Sequence, residues 1–297
     1  MNTYKMNYNT AKAKQDICNN IFNDNLIIND IDNTTSPNKK ILILRIYSDN
    51  NTAYKLMKQT HEYYINNDNI FDTYFVSYKE NITDDVIIEN NDIYIKGSET
   101  YLGITKKTIL ALKHLCSLNN YDYIVRSNIS TFIDYNNLLN YINTLPKTNV
   151  YTGGMILNLE WMYKKYIHTK FVSGTSIIMS NDICNRMIKN FNKGLISEKI
   201  VDDLSLGIYI RYNEHIAYKQ INELYYKLLK TDNYINIQPN KNNFNNNGGH
   251  KFGVNHFIYL KSLNSIKCDN IFIRIRTYKD RMDEYKYIDM LYKRFFT

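Results

Sequence analysis

The sequence predicts an α/β fold with a mostly parallel sheet flanked by helices. Three observations carry that expectation. Strand and helix signals alternate over about 150 residues from Ile41 onward, as they do in parallel α/β domains. The strand candidates are short, continuous apolar runs, the pattern of strands buried on both faces. The helix candidates place apolar residues near a 3.6 period on one side.

The elements follow in order. Residues 1–39 are polar and asparagine-rich and close on Ser36-Pro37-Asn38-Lys39-Lys40, so they read as a polar arm and linker. Residues 40–297 then read as one domain. Ile41–Tyr47 has the length and character of a buried strand. Ser48-Asp49-Asn50 is a turn and a helix cap. Residues 52–66 read as a helix, with Ala53, Leu56, Met57, Tyr63 and Tyr64 on its apolar side. Asp72–Tyr78 and Asp92–Ile95 are strands. Thr105–Leu118 is an amphipathic helix carrying Ile109, Leu112, Leu115 and Cys116 on one stripe. Tyr123–Val125 is a buried strand that runs into Arg126-Ser127-Asn128. Residues 135–143 read as a helix, Val150–Thr152 and Phe171–Met179 as strands, and Asn181–Phe191 and Val201–Tyr212 as helices. The asparagine-rich stretch 232–251 breaks the pattern and reads as a flexible loop. Strands at Phe257–Leu260 and Ile271–Ile275 and a closing helix over 280–295 complete the chain.

Composition narrows the function classes. The 297 residues include 28 tyrosines and are 44 % hydrophobic, which belongs to a folded protein and not a disordered one. The many asparagines, lysines, isoleucines and tyrosines have AT-rich codons, as in low-GC genomes such as those of some giant viruses, protists and bacteria. No apolar run reaches the roughly 18–20 residues of a membrane helix. The first residues are not followed by an apolar signal core, so the expected location is cytoplasmic. The net charge of +8 is scattered, and no run reaches five basic residues. That dispersal argues against a nucleic-acid binder, which would show salt-sensitive RNA or DNA binding. The four cysteines have neither zinc-site nor redox-dithiol spacing and read as buried free thiols.

Several chemistries are missing. There is no phosphate-binding P-loop and no Gly-x-Gly-x-x-Gly after the first strand. Val172-Ser173-Gly174-Thr175 lacks the first glycine of a nucleophile elbow. No His-x-x-x-His pair occurs. His250 and His256 flank the asparagine-rich loop and read either as surface histidines or as weak metal candidates. Asp84-Asp85 reads as a turn. Asp202-Asp203 is more informative: it is either a pair of charges favoured by a helix N-terminus or a catalytic pair.

Four segments then line up in order with one family. They are Glu99–Thr108, Tyr121–Phe132 with its core Tyr123-Ile124-Val125-Arg126-Ser127-Asn128, Phe171–Ser180 around Ser173-Gly174-Thr175, and Asp202-Asp203-Leu204-Ser205-Leu206-Gly207. Together, over roughly residues 41–212, they resemble the beta-1,3-galactosyltransferase and Fringe group of inverting glycosyltransferases, which have the GT-A fold. The family's acidic metal-binding triplet falls on Asn128-Ile129-Ser130, where no carboxylate stands.

The resemblance implies transfer of a sugar from a nucleotide-diphosphate sugar, a UDP-sugar in the first instance, to a hydroxyl of a glycan or glycoprotein. Asp203 matches the family's catalytic base and Asp202 the acid beside it. Donor contacts would come from Ser48, Asp49, Lys107, Arg126, Asn128, Ser130 and Gly174. With the triplet replaced, Arg126, Lys107 and neighbouring Lys106 would help to neutralise the diphosphate. Arg126 has a simpler reading as the partner of a local acid, Asp122 or Asp134. Trp161 and Tyr163 are acceptor-stacking candidates, with a core role open for the tryptophan. Manganese or magnesium would lack the hard anionic ligands it prefers. The rival from another class is a catalytically silent nucleotide-sugar- or glycan-binding protein on the same fold.

Overall fold

A computed structural model describes residues 39–65, 70–154, 156–159, 163–167, 169–213, 234–238, 257–259, 271–275 and 281–295. In chain order these contain β1 (Ile41–Ile46), α1 (Thr52–Tyr64), β2 (Phe71–Lys79), β3 (Val86–Glu89), β4 (Asp92–Lys96), α2 (Ile104–Leu118), β5 (Tyr123–Asn128), β6 (Thr131–Ile133) and α3 (Tyr135–Asn143). They continue with β7 (Tyr151–Gly153), β8 (Ile156–Asn158), β9 (Lys170–Val172), β10 (Ile177–Ser180), α4 (Asn181–Phe191) and α5 (Asp202–Asn213). The last are β11 (Tyr234–Gln238), β12 (Phe257–Tyr259), β13 (Phe272–Ile275) and α6 (Glu284–Phe295).

The architecture is mixed α/β. A seven-stranded sheet has the order β3-β4-β2-β1-β5-β10-β7. Its heart, β4-β2-β1-β5, is parallel, while β3 and β10 run antiparallel to their neighbours. This matches the mostly parallel sheet expected from the alternating pattern. A four-stranded sheet, β12-β11-β13-β6, and a β8-β9 pair complete the strands among the described residues.

The continuous apolar run of β1 has its physical reason here. Leu42, Leu44 and Ile46 face a core built with Ile109, Leu112 and Leu115 of α2, Met187 of α4 and Leu206 of α5. Ile41 and Ile43 face the opposite core, with Tyr123, Val125 and Leu138 of α3. A third apolar cluster joins Ala53 and Met57 of α1 to Phe132 of β6 and to Ile288, Leu291 and Tyr292 of α6. No helix among the described residues is long and apolar enough to cross a membrane.

Several local expectations need correction. The cap of α1 is Asn51 and not the turn at 48–50: its side chain accepts from the N–H groups of Ala53 (2.9 Å) and Tyr54 (3.4 Å). The buried stripe of that helix is Ala53, Met57 and His61, whereas Tyr63 is 80 % exposed. The run Phe171–Met179 is not one strand. It breaks at 173–176 into β9, paired with β8, and β10, paired with β5 and β7. Strand β3 is an addition to the expected elements: at the sheet edge Val86, Ile87 and Ile88 are only half-buried and Glu89 is exposed. Within the stretch read as a flexible loop, Tyr234–Gln238 forms β11 between two parallel partners. The arm over residues 1–38, most of the 232–251 stretch, Trp161, His250 and His256 lie outside the described residues.

Candidate functional site

Parallel strands end on one edge of a sheet, and in open α/β folds that edge is where ligands bind. Here β5 delivers Arg126 and Asn128 to that edge, with Ser48 and Asp49 just past the end of β1 beside it. The two strands stay joined beyond their ends, since Ile129 N–H donates to Ile46 O at 3.0 Å.

Helix α5 brings the acid pair to the same place. Asp202 and Asp203 occupy its first turn, where the helix dipole favours negative charge. The helix is pressed against β9 at Gly207, where a Cβ would stand 2.3 Å from that of Phe171. A larger residue would push the helix and its acids away from the sheet edge.

Arg126 lies at the centre. It is buried, at 1 % exposure. Its Nη2 donates to Asp202 in a buried ion pair. Its Nη1 donates to the side-chain oxygen of Asn128 at 2.9 Å. Its Nε–H is buried with no partner. The local acids suggested by sequence are otherwise employed: Asp122 accepts from Lys40 N–H at 2.8 Å, and Asp134 caps α3 through Asn137 N–H at 3.0 Å.

Asp203 is not paired with the guanidinium. Its Oδ2 accepts from Gly174 N–H at 2.9 Å and its Oδ1 from Leu204 N–H at 2.8 Å. Burial and the neighbouring Asp202 charge push its pKa up to about 6, against the opposing pull of Gly174 N–H, Arg126 and Leu204 N–H. This carboxylate therefore changes protonation near neutral pH, where a general base is most effective.

A side chain at Gly174 would crowd Arg126. A Cβ there would lie 2.5 Å from Nη1 and 3.2 Å from Cζ of Arg126, and 3.3 Å from Cβ of Asp203. The predicted residues Arg126, Asn128, Gly174, Asp202 and Asp203 thus meet in one cluster.

Lys107 corrects the sequence reading. Its ammonium is buried and its three contacts are all internal: Tyr47 O at 2.7 Å and both oxygens of Glu99 at 2.8 Å. Burial lowers its pKa, with Glu99 pulling the other way. It ties the end of β1 to the start of α2 and has no proton left for a diphosphate. Lys106 beside it is exposed. Ser130 is buried, at 1 % exposure.

Two tyrosines stand near the acid pair. Tyr101 is 71 % exposed, and burial of its hydroxyl together with the charges of Asp203 and Asp202 and nearby Tyr163 raises its pKa. Tyr163 is 38 % exposed and holds a left-handed backbone with φ 54°. Aromatic residues seldom adopt that conformation, and it concentrates at ligand sites. Sequence reasoning named Tyr163 but passed over Tyr101, although Tyr101 stands in the Glu99–Thr108 motif. It gives Glu99, which opens that motif eight residues before Lys107, no role.

The residues present do not fit a divalent cation. Asn128 spends its amide oxygen on Arg126, the Ile129 carbonyl meets His61 at 2.8 Å, and Asp202 is committed to a guanidinium. No group of three His, Cys, Asp or Glu side chains able to hold a metal occurs among the described residues. Arg126 is the cation of this cluster, and its partner is Asp202. No protein-family model and no curated protein matches the chain.

Proposed function

We propose that the protein is an inverting glycosyltransferase with a GT-A type fold, taking a nucleotide-diphosphate sugar, UDP-sugars first, as donor. The observation that carries the reading is Asp203: a carboxylate with a pKa of about 6, steered by Gly174 N–H, beside the buried Arg126–Asp202 pair. The four motifs that resemble the beta-1,3-galactosyltransferase and Fringe group support it, since three of them supply this cluster.

The chemistry needs few parts. Asp203 accepts the proton of an acceptor hydroxyl. The oxygen attacks the anomeric carbon from the face opposite the diphosphate, forming the new glycosidic bond. The carbon–oxygen bond to the diphosphate breaks, and the leaving group departs with the electron pair. Arg126, held by Asp202 and Asn128, is the fixed cation for the charge that develops there; such preorganised charge is commonly the largest contribution to catalysis. Ser48 and Asp49 line the same edge. Tyr101 and Tyr163 offer flat faces to the acceptor glycan. No step runs through a metal, and the reaction would proceed in the cytoplasm.

A second reading, a silent nucleotide-sugar-binding protein, is favoured by one observation: Asn128, where the family has an acid, is bonded to Arg126. Calorimetric titration with a panel of nucleotide-sugars, with manganese and with chelator, tests the shared donor site. Binding of one donor that survives chelator is the expected result. No binding under either condition would overturn both readings.

A further inference from the structure

Beneath the 129–131 loop, on the opposite face of β1 from Arg126, lies a second buried arginine that the proposed reaction does not use. Arg45 sits in the central strand at 0 % exposure. Its Nη1 donates to Thr131 O at 2.8 Å. Its Nε and Nη2 have no hydrogen-bond partner. No ion pair reaches it among the described residues.

Its neighbours add donors and no negative charge. His61 is wholly buried and bonds on both sides, with Nε2 2.8 Å from Ile129 O and Nδ1 2.8 Å from the Tyr292 hydroxyl. A carbonyl can only accept, so Nε2 carries the proton. Burial beside Arg45 keeps its pKa well below the usual histidine range, so the ring is neutral and Nδ1 accepts from the Tyr292 hydroxyl. Nε2 stands 3.5 Å from Arg45 Nη1 and, being a donor, gives the guanidinium nothing. Ser127, the register partner of Arg45 on β5, has a buried hydroxyl without a partner. So has Thr131, whose carbonyl Arg45 touches.

A buried cation left without an anion is among the most costly arrangements a fold can contain. Buried polar groups without protein partners point to a bound water or ion. A water would satisfy hydrogen bonds but leave the charge uncompensated. We propose that Arg45, with the hydroxyls of Ser127 and Thr131, forms an internal site for one small monovalent anion of the size of chloride. The ion would stabilise, from below, the turn that follows Asn128 at the end of β5, and is independent of the donor chemistry above.

The test uses the full chain at constant ionic strength, with chloride, bromide or the bulky anion gluconate as the only variable. Melting should rise in saturating chloride or bromide over gluconate by on the order of 5 °C. Crystals grown in bromide should show an anomalous peak beside Arg45 Nε and Nη2. Arg45→Met should melt at one temperature in all three salts, and Ser127→Ala should weaken the chloride response. Equal melting of the wild type in chloride and gluconate, or no peak at Arg45, would overturn the site in favour of water. A chloride response that persists in Arg45→Met would place the ion elsewhere and overturn it equally.

Discussion

The backbone N–H of Gly174 donates to Oδ2 of Asp203 across 2.9 Å, and the side chain that Gly174 lacks is what admits the guanidinium of Arg126. One backbone position thus orients the candidate base and makes room for the candidate cation. Gly174→Ala should displace Arg126, which is tethered on both sides and cannot swing aside cheaply. Overpacking of this kind costs about 1–3 kcal/mol. Donor affinity by calorimetry should fall about tenfold, which corresponds to about 1.4 kcal/mol.

The titration of Asp203 gives a signed prediction. As the base it must be ionised, so transfer should rise with pH through about 6. Asp202→Asn removes the neighbouring negative charge and should move that limb to lower pH. Arg126→Gln removes a positive charge and should move it to higher pH. The stability sign is opposite to that of an ordinary salt-bridged acid. The folded pKa of Asp203 lies above its unfolded value, so the native state binds more protons between the two, and stability falls as pH rises from about 4 to about 6. Asp203→Asn should therefore melt higher than wild type at neutral pH while losing about 10²–10⁴-fold in turnover.

Lys107 should behave as a structural residue. Lys107→Met strands the carboxylate of Glu99, and breaking a buried pair costs about 3–5 kcal/mol. The double variant Lys107→Met/Glu99→Gln should recover much of that loss in chemical denaturation. If Lys107 instead touched the donor, the double variant would recover stability but not donor affinity.

Cys116 on α2 and Cys184 on α4 bring their sulfurs to 3.9 Å across 68 residues of sequence. The hydrogen bond between them holds the Cys116 thiol below its usual range and drives the buried Cys184 thiol up. Cys116 is the more exposed of the two and is the sulfur a reagent reaches first. Mild oxidation with diamide should join the two in one cross-linked peptide by mass spectrometry, and Cys116→Ser should abolish that peptide.

Much of this was legible in the chain. The helices at Tyr135–Asn143 and Asn181–Phe191 fall where their periodicity places them, because each packs one apolar stripe on the sheet. The acid pair and Gly174 were visible as a motif. The pairing of Arg126 with Asp202 was not, since it joins residues 76 positions apart and depends on how α5 docks at Gly207. The employment of Lys107 by Glu99 and Tyr47 was hidden for the same reason. So was the break at 173–176: an apolar run reads as one strand until two different sheets claim its ends.

The most direct test follows release of nucleoside diphosphate from the donor that binds, with acceptor glycan present and chelator throughout, for wild type and Asp203→Asn. The account predicts steady release by the wild type, dependent on acceptor, and a loss of about 10²–10⁴-fold in the variant whose binding is unchanged. Equal release by both proteins, or release only after manganese is restored, would contradict Asp203 as the base of a metal-free transfer.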